Sequence, residues 1–220
     1  MRSLRFALIA ATMVASAAFA SPADPKNGVD FQTLAAAQPV QATGKKVEVI
    51  EFFAYHCPAC NALEPAFNQW VKKQGDNIVL RRIHLPFQGP ADPEAHLYLT
   101  LEAMGKVEEY HHKIFRAVHV ERKRLMTDDA IIDWAVKNGL DRAKFMETWN
   151  SFGVTTKLRR LGQVQSSYKV SGTPTIVIDG KYVTSPGQVA EGNKIQDGSQ
   201  VMSATTQVLD ALVARAAKTK

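Results

Sequence analysis

The chain has 220 residues, of which 45% are hydrophobic, and its formal net charge at pH 7 is +6. This length and composition allow one substantial core, or one core with an inserted subdomain. No segment after the N-terminus is long or apolar enough to span a bilayer. The basic runs Arg122-Lys123-Arg124 and Arg159-Arg160 have no aromatic stacking pattern beside them, so we expect solvated surfaces there and no nucleic-acid binding.

Residues 1–20 have the pattern of an export signal. Arg2 and Arg5 precede an apolar stretch that begins at Phe6, and Ala18-Phe19-Ala20 has the small residues of a cleavage site. The alternative is an uncleaved membrane anchor, but the apolar part falls short of the ~20 residues that a span needs. We therefore predict a signal peptide that is cut after Ala20, which leaves 25 basic and 21 acidic residues and a net charge of +4.

Residues 21–43 are rich in Pro, Ala, Gln and Gly and predict an N-terminal arm, with a short strand around Phe31 to Leu34. The first core strand is predicted at Val47–Phe53. Since this strand is almost entirely apolar, we expect it at the centre of a parallel sheet with both faces covered. Glu51 is the exception, because a buried carboxylate must be paired, hydrated or protonated.

A Cys-Pro-Ala-Cys sequence follows this strand and opens a predicted helix from about Cys57 to Gln74. Near the N-terminus of a helix, unpaired N–H groups and the helix dipole favour a thiolate at Cys57. Pro58 fits the first helical turn, because its missing N–H costs nothing there. The two-residue spacing lets Cys60 approach Cys57 closely enough for a disulfide. The stretch therefore predicts a redox-active dithiol.

Other uses of two cysteines fit the sequence less well. A static bridge across so small a loop would contribute only roughly 2 kcal/mol through the entropy of the unfolded chain. Zinc needs about four ligands, and His56 and His84 could complete a site only by accident of folding. Haem attachment requires a histidine after the second cysteine, where Asn61 stands. We therefore predict no metal.

A second strand, Ile78–Leu85, would complete a βαβ unit with the helix and the first strand. Residues 88–164 then show consecutive short helices, which predict an inserted all-helical subdomain; Asp92-Pro93-Glu94, Thr127 and Asp141 are helix-start residues. Its expected core residues are Trp134, Phe145, Met146 and Trp149. Its histidines are expected on helix surfaces, namely His96, His111, His112 and His119.

The α/β pattern resumes after the insertion. Thr175–Asp179 is a predicted strand, Gly180-Lys181 a turn and Tyr182–Thr184 a hairpin partner. Val201–Ala217 carries its apolar residues on one stripe and is predicted to be a helix that covers a face of the sheet. Two separated segments of the chain thus complete one sheet.

Together these features resemble the thioredoxin superfamily and, within it, the DsbA family of periplasmic thiol:disulfide oxidases. The resemblance rests on the signal peptide, on Glu51-Phe52-Phe53 before Cys57-Pro58-Ala59-Cys60, on the helical insertion, and on Val170-Ser171-Gly172-Thr173-Pro174 before a strand. It implies an α/β, thioredoxin-like fold with an inserted all-helical subdomain. The thioredoxin-like domain would comprise residues 44–87 and 165–220, in a periplasmic protein.

The resemblance also implies roles for single residues. Cys57 would be the exposed nucleophile and Cys60 its more buried partner. Pro174 would be a cis-proline that faces the disulfide, although an ordinary strand-start proline is the alternative. The backbone at Thr173 would pair with an extended substrate peptide.

Charged residues near the dithiol would tune it. Glu51 would be the buried acid that tunes Cys60 or relays its protons, and Arg82 on the neighbouring strand would be its counter-charge. Glu64 either joins this network or is an exposed helix carboxylate. His56 either supplies charge to Cys57 or is an ordinary loop residue.

The sequence departs from the best-known family pattern at two positions. The residues between the cysteines are Pro58 and Ala59, where the well-studied member has Pro-His, and Thr173 stands where that member has Val. A histidine inside the motif can donate to the thiolate, whereas Ala59 cannot.

The implied function is donation of the Cys57–Cys60 disulfide to reduced, unfolded exported proteins, without a cofactor. A DsbB-type membrane quinone reductase would reoxidise the protein, and a monomer is expected because no dimerisation element is visible. Two alternatives remain open. One is a disulfide isomerase or reductase, because proteins of that branch also have a threonine before the equivalent proline. The other is a non-catalytic peptide-binding module with a vestigial CxxC.

Overall fold

The computed structural model describes residues 22–220. The predicted signal peptide, residues 1–20, and its cleavage site after Ala20 lie outside the described residues. Within the described part of the chain, no helix is long and apolar enough to cross a membrane.

The described strands form a single mixed sheet. They are β1 (Gln32–Thr33), β2 (Val47–Phe53), β3 (Ile78–His84), β4 (Thr175–Ile178) and β5 (Tyr182–Thr184), in the spatial order β1-β5-β4-β2-β3. Strand β2 pairs in parallel with β3 but antiparallel with β4. The prediction of a parallel sheet around β2 is therefore confirmed for its pairing with β3 and wrong for its pairing with β4. All seven residues of β2 are buried, which explains its apolar sequence without requiring parallel neighbours on both sides.

Helices flank the sheet and fill the chain between β3 and β4. The α-helices in residues 22–220 are α1 (Pro58–Gln74), α2 (Pro93–Ala103), α3 (Val107–His119), α4 (Asp128–Lys137), α5 (Arg142–Trp149), α6 (Phe152–Ser167), α7 (Pro186–Asn193) and α8 (Gly198–Ala217). The sequence analysis missed α7, which Ser185 caps directly after β5. The predicted insertion, 88–164, ends within α6.

Side-chain caps start three helices of the insertion, α2, α4 and α5, where the sequence predicts them. The carboxylates of Asp92 and Asp141 accept hydrogen bonds from the third backbone N–H after each of them, at 2.8 and 2.9 Å. Thr127 does the same at 3.3 Å. These caps satisfy N–H groups that a helix cannot bond internally, so local sequence sets each start.

Two hydrophobic clusters hold the layers together. In one, Val47 and Val49 of β2 pack with Leu63 of α1 and Val208 of α8. The other joins the sheet to the insertion and includes both cysteines. Three aromatic residues predicted for the core of the insertion are buried in this cluster, namely Trp134, Phe145 and Trp149. Met146, also predicted for that core, is partly buried and packs against the same cluster.

Three of the four histidines of the insertion differ from the prediction, which placed all of them on helix surfaces. His111 is buried, His119 is partly buried, and His96 stacks on Trp149 with the ring centroids 3.6 Å apart. His112 is exposed, as predicted. Neighbouring elements cover the other three, and helical spacing carries no information about such neighbours. The two basic runs are exposed, as predicted.

Candidate active site

Cys57 is the capping residue that immediately precedes α1. Its sulfur accepts a hydrogen bond from the backbone N–H of Cys60 at 3.3 Å, and Pro58 occupies the first helical position. Cys57 is 8% exposed and Cys60 is fully buried. Cys57 is therefore more covered than the expected exposed nucleophile, although it is the more accessible of the two free thiols.

The two thiols have opposite acidities. The pKa of Cys57 falls from 9.0 to about 5, because the Cys60 thiol donates a hydrogen bond that outweighs burial, and the Thr173 side chain and the N–H groups of Cys60 and Ala59 add to this. Burial, followed by the hydrogen bond with Cys57, raises the pKa of Cys60 far above its ordinary value. At neutral pH the reduced site therefore holds a thiolate at Cys57 and a thiol at Cys60.

The loop before β4 lies against the dithiol. The Thr173–Pro174 peptide bond is cis, so Pro174 is not an ordinary trans proline at the start of a strand. The Cys57 sulfur lies 3.4 Å from the carbonyl oxygen of Thr173, and a protonated Cys57 donates to that oxygen. The cis-proline loop and the cysteine motif thus form one site.

Glu51 and Arg82 form a buried ion pair on adjacent strands. The register of β2 and β3 places them side by side, and Arg82 Nε donates to Glu51 Oε2 at 2.9 Å. Burial raises the pKa of Glu51 to about 7, although the charge of Arg82 opposes this shift. Among the described residues, Glu51 Oε1 has no hydrogen-bond partner.

Glu64 belongs to the same network. Arg82 Nη2 donates to Asn68 Oδ1 at 2.8 Å, and Asn68 Nδ2 donates to Glu64 Oε2 at 2.7 Å. His111 Nε2 donates to the other Glu64 oxygen at 3.2 Å. Burial opposes ionisation of Glu64, but the hydrogen bond from His111 lowers its pKa. Glu64 is therefore a buried member of the network and not an exposed helix carboxylate.

Tyr55, two residues before Cys57, is bound by three histidines. Its N–H donates to Nε2 of His84 at 3.1 Å, its carbonyl accepts from Nε2 of His119 at 2.8 Å, and its hydroxyl lies 3.2 Å from Nδ1 of His111. These contacts fix the segment that leads into the cysteine motif. The helical spacing in the sequence gives no signal for them.

His56 is paired with Glu94 at the start of α2. Its Nδ1 donates to Glu94 Oε2 at 2.6 Å. His56 is thus not an ordinary loop residue. Glu94 is a site residue that the sequence analysis missed, because its sequence context indicates only the acidic first turn of a helix. Pro58 and Ala59, between the cysteines, are exposed.

Metal binding has no support in the described residues. Within residues 22–220, no group of three or more His, Cys, Asp or Glu side chains could hold a metal ion. His84, one of the two histidines considered for such a site, donates from Nδ1 to the carbonyl of Leu85 and accepts at Nε2 from Tyr55. Both of its ring nitrogens are therefore engaged.

Comparisons with known proteins agree with this geometry. The model of the DSBA-like thioredoxin domain matches residues 48–197. The thiol:disulfide interchange protein DsbA of Burkholderia cepacia is 39% identical over 206 residues, which are 94% of this chain and 92% of that protein. This chain belongs to the DsbA-like thioredoxin-domain family. A second family member, from Bordetella pertussis, is 37% identical and covers 84% of this chain and 87% of its own length.

Solved structures of the family share the fold. The crystal structure of Pseudomonas aeruginosa DsbA superposes with a TM-score of 0.77 at 31% identity, covering 91% of this chain and all of that chain. The oxidoreductase DsbA from Xylella fastidiosa, at 24% identity, supports the fold alone, with a TM-score of 0.73. The predicted thioredoxin-like fold with a helical insertion is confirmed. As a DsbA-family protein, this chain is a thiol:disulfide oxidoreductase.

Proposed function

We propose that this protein oxidises reduced exported polypeptides with its Cys57–Cys60 disulfide. The observation that carries the proposal is the place of Cys57 at the start of α1, where its sulfur accepts from the Cys60 N–H at 3.3 Å and its pKa falls to about 5. Stabilising the thiolate favours the reduced form, and each pKa unit of stabilisation is worth about 1.4 kcal/mol. A disulfide whose reduced form is favoured is readily passed on, so the site suits a donor better than a reductant.

The transfer takes place in two exchanges. A client thiolate attacks the Cys57 sulfur, the bond between Cys57 and Cys60 breaks, and Cys60 leaves and takes up a proton. A second thiolate of the same client then attacks the client sulfur of the mixed disulfide, and Cys57 leaves as a thiolate. The client loses two electrons and gains a disulfide, and the protein gains two electrons as its two cysteines are reduced.

The surrounding residues have distinct roles in this proposal. Glu51, with a pKa of about 7, exchanges protons with Cys60 near neutral pH, and Arg82 sets its charge. His56, Pro58 and Ala59 set the surroundings of the Cys57 thiolate. The backbone at Thr173, beside the cis bond to Pro174, pairs with an extended client segment.

The cellular setting follows from the family and the N-terminal sequence. Residues 1–20 support export to the periplasm with cleavage after Ala20, where oxidising conditions allow disulfides to persist. A DsbB-type membrane quinone reductase returns the dithiol to the disulfide. The protein acts as a monomer in this proposal.

Equilibration with glutathione buffers tests the direction of transfer. We expect the Cys57–Cys60 bridge to be reduced at glutathione ratios that leave stable structural disulfides intact, and the oxidised protein to form disulfides in a reduced, unfolded client. A bridge that resists such buffers would instead support the reductase or isomerase. Cys57→Ser should abolish transfer, and a variant that still protected clients fully would indicate a peptide-binding module.

A further inference from the structure

The ion pair of His56 and Glu94 lies next to the nucleophilic cysteine and joins it to the helical insertion. We propose that Glu94 is a positioning residue for the dithiol, which holds His56 as a cation beside Cys57 and so favours Cys57 as the leaving thiolate. This inference rests on the proposed oxidase function, and it assigns the control of that site to a residue on a separate element.

The geometry fixes the imidazole in place. A single carboxylate oxygen of Glu94 accepts both from His56 Nδ1 at 2.6 Å and from the His56 backbone N–H at 3.2 Å. On another side, the ring meets Phe87 edge to face, with the centroids 5.0 Å apart. Glu94 is only 3% exposed at its side chain, whereas His56 is 36% exposed. The carboxylate therefore serves as a buried anchor for a ring that reaches the surface beside Cys57.

Charge explains why the anchor is a carboxylate. Burial opposes ionisation of Glu94, yet the hydrogen bond from His56, with a smaller contribution from His84, holds its pKa at about 2. That hydrogen bond also raises the pKa of His56 against the effect of burial, and the Cys57 thiolate raises it further. Coupling is reciprocal, so a thiolate that favours the His56 cation is favoured by it. Ala59 offers no side-chain donor for this purpose.

Two other titratable groups lie close to His56 and Glu94, namely Asp92 and His84. Asp92, at the start of the same helix, adds negative charge that favours protonated His56. His84 Nε2 lies 3.5 Å from the Glu94 carboxylate, but it accepts a hydrogen bond from Tyr55 N–H and its Nδ1 donates to Leu85. His56, at 2.6 Å, is therefore the closer of the two histidines to the Glu94 carboxylate.

The reciprocal coupling can be measured directly on the wild-type protein. We expect NMR titration to give a His56 pKa that is about half a unit higher in the reduced protein, which carries the thiolate, than in the disulfide form. Equal His56 pKa values in the two forms would overturn the proposal. The glutathione equilibrium of the wild type tests the oxidase function separately, because the bridge could be oxidising without any coupling to His56.

Variants then test the role of Glu94. Glu94→Gln should lower the His56 pKa and shift the glutathione equilibrium at pH 7 about threefold toward the disulfide form, since half a pKa unit is about threefold. Its effect should shrink at pH 5, where His56 is protonated without help. An unchanged equilibrium at pH 7 in folded Glu94→Gln protein contradicts the assignment.

Two further variants keep the test decisive if Glu94→Gln folds poorly. His56→Phe keeps an aromatic ring against Phe87 but removes the charge, so it should shift the glutathione equilibrium toward the disulfide form as Glu94→Gln does. In the double variant, Glu94→Gln should weaken the Cys57 thiolate no further. Unchanged behaviour of His56→Phe overturns the proposal. Glu102→Gln is the matched control, because it removes a 2.7 Å ion pair between the same helix and Lys157 and should leave the equilibrium as it is.

Discussion

The sulfur of Cys57 lies 3.4 Å from the carbonyl oxygen of Thr173, a residue 116 positions further along the chain. Pairing of β2 with β4 creates this contact, since it places Phe52 opposite Thr175. The helical insertion separates the two segments in sequence without separating them in space. The acidity of the nucleophile therefore depends on both sides of the insertion.

Removal of the Thr173 hydroxyl should weaken the thiolate. Thr173→Val keeps the shape of the side chain and the backbone carbonyl, but it loses a group that lowers the pKa of Cys57. We expect this pKa to rise by about one unit, the size of one hydrogen bond to a charged group. Ultraviolet absorbance of the thiolate during a pH titration measures the change. Ser171→Ala is the control, because it removes an exposed hydroxyl group from the same loop and should leave the pKa of Cys57 unchanged.

The reduced protein should gain stability over the oxidised protein as pH rises. In the folded state the pKa of Cys57 is about 5, below its ordinary value of 9.0, so between these values the unfolded chain binds the extra proton. This stabilisation is complete above pH 9 and is lost as pH falls through 5. Denaturant unfolding of both forms at pH 4 and pH 8 measures their free energies of unfolding. The value for the reduced form minus that for the oxidised form should be larger at pH 8. The reduced Cys57→Ser variant should lack this dependence.

The stability of Glu51→Gln relative to the wild type should rise with pH. The folded pKa of Glu51 is raised by burial from 4.5 to about 7, so the folded protein loses stability as pH rises between these values. An uncharged glutamine avoids that loss, although it leaves Arg82 without its counter-charge at every pH. The free energy of unfolding of the variant should therefore rise relative to the wild type by about 3 kcal/mol at most between pH 4 and pH 8, from the 1.36 kcal/mol per pKa unit. Urea unfolding of both proteins across pH 4 to 8 provides the comparison. A constant difference across this range would mean that Glu51 titrates normally.

Arg82→Met should be strongly destabilising while Glu51 is charged. It leaves a carboxylate buried without its counter-charge, and such losses are about 3–5 kcal/mol. The loss should shrink at pH 5, where Glu51 is protonated, and also in the Glu51→Gln background. Arg160→Met, on the exposed face of α6, should change the free energy of unfolding little at either pH. Equal losses with and without the Glu51 carboxyl group would contradict the pairing.

Much of the site could be predicted from the sequence because its parts are local. The strand before Cys57, the helix after it and Cys60 itself are neighbours in the sequence, so their patterns can be read from one continuous stretch of the chain. The caps at Asp92, Thr127 and Asp141 depend on hydrogen bonds to backbone groups three residues away. The pairing of Glu51 with Arg82 could also be anticipated, because successive strands of a βαβ unit often lie side by side.

Only the tertiary structure decided which distant side chains meet at the dithiol. Glu94 reaches His56 across 38 positions, and His111 reaches Glu64 across 47. The antiparallel entry of β4 and the burial of His111 were likewise not predictable from the sequence pattern. Periodicity and capping describe one element at a time, whereas a pair of side chains from two elements is set by how those elements pack. The sequence by itself therefore determined the dithiol, and the packing of the insertion determined the partners of His56 and Glu64.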